Sequence, residues 1–421
     1  MPCARGWPPL FMIHFTRSGR GLVPLPLAFC GLSFAFGYQF YRMAPFEGVA
    51  YLMFSAAFGV TLLLPYLADR YLGLRWQGLS RSLVFPLALV ASEYLASFNP
   101  FGTWGSIAYS QYEHLTLLQV LSVRGLYGIT FLMGWFASVT VALWEARFAI
   151  PRARGEWAAF ALCWCAVLLY GGGRLALFPP RSATIRVASI TRPDESRFPY
   201  PPSANLNNRV MMGEPLTEAE TAQRRGIYIG LPLAVFDIGH RPSLDDKLVM
   251  IDAAGGVAWE YRKSEIPPGL EVTILSPSSG QLPVVATPFG RLGAAVAFDM
   301  DFPNFLLQAG RKHADLMVVP ENEYPEIDPM HSRMALYRAV ENGFNLLLHA
   351  SQSLSLACDY QGRVYGLMDH YHASDRVLVA QLPTSGVSTI YSRSGYLFPW
   401  ICIVGFGLLL LTRLLHGNAR A

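Results

Sequence analysis

The chain has 421 residues, of which 52% are hydrophobic and 15% are charged, and its net charge is +4. Such a composition excludes an ordinary soluble domain and predicts membrane-spanning helices. The scattered Lys and Arg residues also argue against a nucleic-acid-binding surface.

A membrane span needs ~20 mostly apolar residues, and six windows of the sequence have about this length. The windows cover residues 23–41, 46–68, 82–98, 127–146, 156–178 and 397–415. The first could be a signal peptide, but its length and the lack of a convincing cleavage site favour a retained helix. We therefore predict N-terminal transmembrane helices over 1–180, about five spans, and a C-terminal helix with a short tail over 393–421.

The positions of the arginines predict the orientation of these helices. Arginines cluster in the N-terminal tail, in the loops after the second and fourth windows, and in the C-terminal tail. The loop 99–126 is nearly free of Lys and Arg, so both termini are predicted to be cytoplasmic. The region between the last two windows, 181–392, is then expected outside the cytoplasm.

This region reads as a mixed α/β domain. Alternation and β-branching predict strands at 183–190, 226–230, 247–252, 257–261 and 283–286, followed by a strand that ends near residue 296. Further strands are predicted at 316–319, 345–349, 354–358 and 377–381. Helices are predicted at 218–225, 304–312 and 331–342. Strands that alternate with helices indicate a layered α/β fold.

The first place with chemical potential is a loop after the predicted hairpin. Lys263 and Glu271 stand eight residues apart, separated by Pro-Pro-Gly. A rigid loop would present both charges together, whereas an exposed turn with two solvated charges has the same spacing. Spacing alone favours the exposed turn.

The second place is a polar elbow directly after a buried strand, in the run GAAVAFDMDFPN. Its residues Ala297 to Asp301 include no good nucleophile. Asp299 and Asp301 precede a predicted helix, and Asp is favoured at helix N-termini. Helix capping is therefore the simpler interpretation of both residues.

The third place is the acidic run Glu321 to Glu323, which follows an apolar strand. Carboxylates at the end of a strand often face a cleft, although a plain loop has the same sequence pattern. Glu321 and Glu323 are candidate pocket residues together with Asp299. His331 and His349 read as a helix-surface and a strand residue rather than as ligands. No metal-type spacing of Cys or His is present, and no cofactor motif appears.

Several runs, in fixed order, resemble the nitrilase, or carbon–nitrogen hydrolase, superfamily. These are YRKSEIPPGLE, TPFGRLGAAVAFDMDFP, the segment 313–351 and DYQGRV. The flanks NPFGTWGSIAYSQYEHLTLLQVLSVRGLYGITFL and GVSTIYSRSGYLFPWICI are similar to the membrane parts of apolipoprotein N-acyltransferases. The resemblance implies an αββα sandwich attached to a transmembrane bundle, in the bacterial inner membrane, with the sandwich on the periplasmic side.

The resemblance also implies a Glu–Lys–Cys triad that moves an acyl chain from a phospholipid to a lipoprotein N-terminus. Lys263 matches the triad lysine and Glu271 a second, supporting glutamate. The nucleophile position falls on Ala297, so the sulfur is missing. Glu214 is the best match for the triad glutamate, whereas another register places Leu233 there and leaves no glutamate.

The missing nucleophile leaves three hypotheses. The favoured one is a catalytically inactive relative that binds lipid, lipoprotein or a membrane protein partner. In the second, acyl transfer or amide chemistry continues by an altered mechanism that uses the remaining carboxylates and Lys263. In the third, Ala297 is an engineered Cys-to-Ala change in an active enzyme. No nucleic acid, metal or cofactor is expected in any of them.

Overall fold

A computed structural model describes residues 8–418 apart from 20, 150, 152, 191–214, 237–241, 270 and 277. The chain divides into two compact units, which are described separately. A helical unit comprises Met1–Pro179 with Ser394–Ala421, and an α/β unit comprises Pro180–Arg393.

The helical unit contains helices at all six apolar windows. The helices are α1 (Pro8–Ser18), α2 (Pro24–Gln39), α3 (Gly48–Tyr71), α4 (Gly78–Ala96), α5 (Leu115–Leu118), α6 (Leu121–Arg124), α7 (Leu126–Glu145), α8 (Arg154–Leu177) and, after the α/β unit, α14 (Leu397–Asn418). Among the described helices, four are long and apolar enough to cross a membrane, namely those at Gly48–Arg75, Gly78–Ala96, Leu126–Glu145 and Arg154–Leu177. Helix α2 has only 16 residues.

A buried ionic cluster joins three helices of this unit. Arg17 on α1 donates two hydrogen bonds of 2.7 Å to the carboxylate of Asp69 on α3. Its Nη1 also lies 3.3 Å from Glu145 at the end of α7. Because the side chains of Arg17 and Asp69 are 2% and 0% exposed, loss of either partner would leave a buried charge without compensation.

The α/β unit contains eleven described strands in three sheets. The strands are β1 (Thr184–Ile190), β2 (Ile229–Phe236), β3 (Leu244–Ile251), β4 (Val257–Arg262), β5 (Val284–Thr287), β6 (Gly290–Ala294), β7 (Leu316–Asn322), β8 (Asn345–Ser351), β9 (Leu354–Cys358), β10 (Val364–Asp369) and β11 (Val377–Pro383). The sheet orders are β10-β9-β8-β7-β6-β5, β2-β3-β4 and β1-β11.

The helices of the α/β unit are short, and the central strands of its largest sheet are parallel. The helices are α9 (Pro215–Arg225), α10 (Glu271–Ile274), α11 (Pro303–Arg311), α12 (Met330–Asn342) and α13 (Ile390–Ser394). Strands β6, β7 and β8 pair in parallel, with Leu316 opposite Leu292 on one side and Asn345 on the other. This connectivity places the chain segments that follow β6 and β7 at the same edge of the sheet.

One hydrophobic core joins all three sheets. It includes Met250 from β3, Leu292 from β6, Leu347 from β8 and Leu378 from β11. Helix α12 packs on β8 and β9, and α9 packs on β3, so helices lie outside the paired sheets. The resulting four layers form the αββα sandwich of a nitrilase-type domain.

Candidate active site

Lys263 lies immediately after β4 and is buried, with 6% exposure. Its Nζ donates a 2.7 Å hydrogen bond to Oε2 of Glu271, the first residue of α10. The Asp246 carboxylate on β3 lies 3.8 Å from the same nitrogen. The structure therefore brings Lys263 and Glu271 together, and the expectation of two solvated charges is wrong for Lys263.

The carboxylates around Lys263 keep it charged. Burial alone would lower the pKa of Lys263, but attraction by Glu271 and Asp246 outweighs this effect and raises the pKa above its ordinary value. Burial raises the pKa of Asp246, against the opposing effect of Lys263. Lys263 is thus a fixed cation, which suits stabilisation of an oxyanion rather than work as a general base.

The elbow follows β6 and forms a short 3₁₀ turn, Ala297–Asp301. Ala297 has a φ of +43°, in the left-handed region that alanine rarely occupies. Backbone strain of this kind is typical of functional sites, where the surrounding structure holds a side chain in an unusual direction. Here the strained position carries only a methyl group.

Asp299 connects the elbow to the lysine loop. Its Oδ1 accepts hydrogen bonds from the backbone N–H groups of Ser264, at 3.0 Å, and Glu265, at 2.7 Å. Its Oδ2 accepts from the Val296 N–H, at 2.8 Å, and the Tyr261 hydroxyl, at 2.7 Å. The side chain thus ties both ends of the site together, which is more than the helix cap that the sequence suggests.

Burial raises the pKa of Asp299 to about 6, and the four donors limit this increase because they favour the charged form. At neutral pH the carboxylate is therefore ionised and holds all four donors. Asp299 acts as a positioning residue for the elbow and for Lys263.

A second group of side chains, the carboxylate–histidine cluster, comprises Asp301, Glu321, Glu323 and His331. All four are buried, with exposures of 0%, 4%, 6% and 5%. His331 Nδ1 lies 2.7 Å from Glu323 Oε1, and His331 Nε2 lies 3.0 Å from Asp301 Oδ2. The cluster joins the end of the elbow turn, the end of β7 and the first turn of α12.

These contacts correct two expectations from the sequence. His331 is not a helix-surface residue, because α12 turns it inward between two carboxylates. Asp301 does not cap the following helix, since the residue before α11 is Phe302, which makes no side-chain cap. Sequence reasoning missed the cluster because its members come from three elements, and spacing along the chain shows no sign of their meeting.

Charge interactions in the cluster shift two pKa values strongly. Burial opposes protonation of His331, but Asp301 and Glu323 raise its pKa well above the ordinary value. Burial, followed by repulsion from Glu323, raises the pKa of Glu321 well above its ordinary value. Three carboxyl groups therefore face one imidazole, and burial and mutual repulsion make it costly for all three to ionise.

The remaining candidates lie elsewhere. Glu214 falls outside the described residues, so the structure gives no position for its side chain. Leu233, the alternative at that place, is a buried residue of β2. Cys358 is buried on β9, three strands away from β6 in the six-stranded sheet, and cannot replace the missing sulfur at the elbow.

Comparison with known proteins gives two family matches. Residues 208–381 match the carbon–nitrogen hydrolase model, and residues 6–139 match the apolipoprotein N-acyltransferase N-terminal domain model. Together they cover parts of both structural units.

Individual proteins are similar to the chain over different lengths. The chain is 24% identical over 387 residues to an apolipoprotein N-acyltransferase of Geobacter metallireducens, covering 78% of this chain and 73% of the relative. It is 31% identical over 103 residues to a mouse (Mus musculus) deaminated glutathione amidase, covering 22% of this chain and 32% of that protein. A solved amidase from Nesterenkonia sp. superposes with a TM-score of 0.37 at 21% identity, covering 42% of this chain and 69% of that chain.

Proposed function

Because this chain belongs to the apolipoprotein N-acyltransferase family, we propose that it is a membrane protein that binds a lipid or lipoprotein ligand of that reaction without forming an acyl-enzyme. The observation that carries the proposal is Ala297, an alanine held at φ +43° in the elbow where the resemblance expects the nucleophile. Within the same proposal, the alternative ligand is a membrane protein partner that binds at this site.

The chemistry explains why the alanine matters. In the implied reaction, a thiolate sulfur attacks the ester carbonyl carbon of a phospholipid. A thioester forms, and the lysophospholipid oxygen leaves with a proton. The lipoprotein amine then attacks the thioester carbon, and the sulfur leaves as a thiolate. An alanine methyl has no lone pair, so the first bond cannot form.

The retained residues support binding at the same place. Lys263 is buried, stays cationic and hydrogen-bonds Glu271. Asp299 holds the elbow and the lysine loop together through four hydrogen bonds. A buried cation beside a strained turn suits an ester or amide carbonyl oxygen, whether or not that carbonyl reacts.

The location belongs to the same proposal. We place the chain in the bacterial inner membrane, with residues 181–392 on the periplasmic side. The arginine-rich loops and the nearly uncharged loop 99–126 support this orientation through the positive-inside rule.

The test uses the full-length protein purified in detergent. It is incubated with a fluorescent phospholipid and a diacylated lipopeptide, and triacylated product and acyl-enzyme are sought by mass spectrometry. Saturable binding of the lipopeptide is measured in parallel by fluorescence anisotropy. The variant Ala297→Cys is treated in the same way. So is a matched control, Ala295→Cys, which places the sulfur two residues before the strained position.

We expect saturable lipopeptide binding and no triacylated product from the unchanged chain. A thioester on Ala297→Cys but not on Ala295→Cys would support an intact pocket that lacks only the sulfur. Triacylated product from the unchanged chain would refute the proposal, and absence of lipopeptide binding would exclude the lipoprotein and leave a phospholipid or a protein partner as the ligand.

A second candidate function is favoured by the carboxylate–histidine cluster. Among the described residues, the buried Glu321 carboxylate has no hydrogen-bond partner, which suits a group that takes up a proton during a reaction. Acyl transfer or amide chemistry by such a route predicts product from the unchanged chain. The product should then disappear in Glu321→Gln and persist in Asp375→Asn, a change at an exposed carboxylate.

A further inference from the structure

The carboxylate–histidine cluster contains more acidic groups than the described residues around it can balance. Three carboxylates, from Asp301, Glu321 and Glu323, surround one imidazole at exposures of 0–6%. An ionised carboxylate is costly to bury unless a cation or several donors accompany it.

Glu321 is the member of the cluster that most clearly has no partner among the described residues. Its carboxylate is buried, and neither of its oxygens has a hydrogen-bond partner among the residues that the structure describes. Yet a carboxylate oxygen of Glu321, one of Glu323 and a ring nitrogen of His331 all lie within 4.8 Å of one another. Glu321 therefore points into the cluster, where none of the described residues supplies a hydrogen-bond partner for its carboxylate.

Two of the three ligand atoms already lie near the spacing that one ion requires, and the third, from Glu321, lies within 4.8 Å of both. Two ligand atoms bound to one Zn²⁺ at about 2.0–2.2 Å each lie roughly 3–3.5 Å apart. His331 Nδ1 and Glu323 Oε1 are already 2.7 Å apart, so insertion of an ion requires only a small separation of these side chains. Nitrogen with two oxygens is a donor set for first-row divalent metals such as Zn²⁺ and Mn²⁺.

Asp301 contacts the ring nitrogen of His331 that does not face Glu323. Its Oδ2 lies 3.0 Å from His331 Nε2, a position that favours a proton on Nε2, so an ion that displaces the Nδ1 proton would meet the Nδ1 lone pair. A carboxylate that orients a ligating histidine in this way recurs in metal sites. Two ligating carboxylates and a neutral imidazole also balance the charge of a divalent cation.

We propose that Glu321, Glu323 and His331 bind one divalent transition-metal cation, with Asp301 as the positioning residue of the histidine. Three protein ligands leave a coordination position open for water or another oxygen ligand. This site goes beyond the proposed function, because ligand binding without an acyl-enzyme does not require a metal ion. It differs from the metal-free expectation because β7 and α12 bring together residues whose spacing in sequence resembles no metal motif.

The experiment uses the full-length protein in detergent, without a polyhistidine tag and after treatment with EDTA. Calorimetric titration with ZnCl₂, and separately with MnCl₂, gives the stoichiometry and affinity. We expect one ion per chain with a dissociation constant of about 1 µM or below for Zn²⁺. The metal should also raise the unfolding temperature, because it binds only the folded chain.

Two variants test the assignment of ligands. Glu321→Gln keeps the shape of the side chain and removes its charge, so we expect at least tenfold weaker binding without loss of folding. The matched control is His372→Gln, which removes an exposed imidazole paired with Asp369 and should leave the affinity unchanged. Equal affinity in Glu321→Gln and the unchanged chain would overturn the proposal.

X-ray absorption at the zinc edge identifies the ligands without any substitution. A shell of nitrogen and oxygen only, with one imidazole, would support the site. Sulfur in the shell would place the ion on the cysteines and overturn the proposal, as would absence of stoichiometric binding of both metals.

Discussion

Ala297 has a strained backbone conformation, but its side chain has no chemical role that would require this conformation. A left-handed conformation costs a non-glycine residue about 1–2 kcal/mol, and that cost is normally justified by function. At Ala297 the φ is +43°, yet the methyl group offers no chemistry. Asp299 explains how the turn persists, because its four hydrogen bonds fix the elbow to the residue before it and to the segment Tyr261–Glu265.

This strain predicts an unusual response to glycine. Ala297→Gly relieves the left-handed penalty and should hold or raise the unfolding temperature in scanning calorimetry, despite the greater entropy of the unfolded chain. Ala295→Gly, at a fully buried position outside the left-handed region, is the control. It should lower the unfolding temperature by roughly 3–8 °C, from about 1–2 kcal/mol. Equal losses in both variants would show that the elbow is not strained.

Sequence reasoning found some parts of the site and missed others for physical reasons. Lys263 and Glu271 share one short loop, so a local pattern could suggest that they act together. The contact of His331 with Glu323 and Asp301 depends instead on how α12 docks against β7 and the elbow. Hydrophobic periodicity places a histidine on a helix face but does not say which polar groups oppose that face.

At the scale of elements, most strands and helices of the α/β unit lie where alternation and β-branching predict them. The strand expected at 226–230 begins later, at Ile229, because Gly226 has a φ of +62° directly after α9. Strand β10 has no counterpart among the predicted strands, because its mostly exposed residues and single buried Met368 make a weak pattern at the edge of a sheet. Sheet order could not be predicted, since pairing between β6, β7 and β8 depends on long-range packing.

Two glycines that end helices offer a matched test of packing. Gly226 follows α9 and Gly343 follows α12, and both have a positive φ, of 62° and 80°. A Cβ on Gly226 would meet nothing within 4 Å, whereas one on Gly343 would lie 1.9 Å from the backbone oxygen of Val387.

We therefore expect Gly226→Ala to cost about 1–2 kcal/mol, the penalty of the left-handed conformation, and to lower the unfolding temperature by roughly 2–8 °C. Gly343→Ala should cost clearly more, since the backbone of the 387 segment must also move. The measurement is the unfolding temperature of both variants by scanning calorimetry. A similar decrease in the two would mean that the backbone at Val387 moves away at little cost in free energy.

The paired sheets also contain a pH-sensitive contact. His349 on β8 hydrogen-bonds the hydroxyl of Ser189 on β1. Burial, with repulsion from His370, lowers the pKa of His349 to about 4. A folded-state pKa below the unfolded value means that the unfolded chain binds the extra proton first, so stability falls as the pH drops from about 6.5 toward 4.

His349→Asn should reduce this acid sensitivity, because the amide does not titrate. The measurement is the unfolding temperature at several pH values between 7 and 4, for the unchanged chain and the variant. His372→Asn, at a histidine with an 83% exposed side chain, is the control and should keep the original pH dependence. An unchanged slope in His349→Asn would exclude this residue as the cause.

At the scale of the molecule, the helical unit marks the chain as a membrane protein. Four described helices are long and apolar enough to span a bilayer, and exposed Leu, Val and Phe side chains on them suit contact with lipid. Composition predicts this property well because a span depends on local hydrophobicity rather than on tertiary contacts.

The proposed orientation has a direct test by cysteine labelling in spheroplasts with an impermeant maleimide. Ser374→Cys, in an exposed turn of the α/β unit, should label without permeabilisation. Gln77→Cys, in the exposed loop before α4, should be labelled only after permeabilisation. The unchanged chain measures the background from Cys30 and Cys165, which are exposed. The opposite labelling pattern would show that the orientation is the reverse of the one proposed.

The buried ionic cluster of the helical unit has a consequence for biosynthesis. Arg17 precedes Asp69 by 52 residues and Glu145 by 128 residues. Since a chain emerges from the ribosome N-terminus first, the first helix is made long before either partner exists. Its guanidinium must remain in water or at the lipid headgroups until α3 and then α7 arrive, so α1 is made before both partners but reaches its final position only after them.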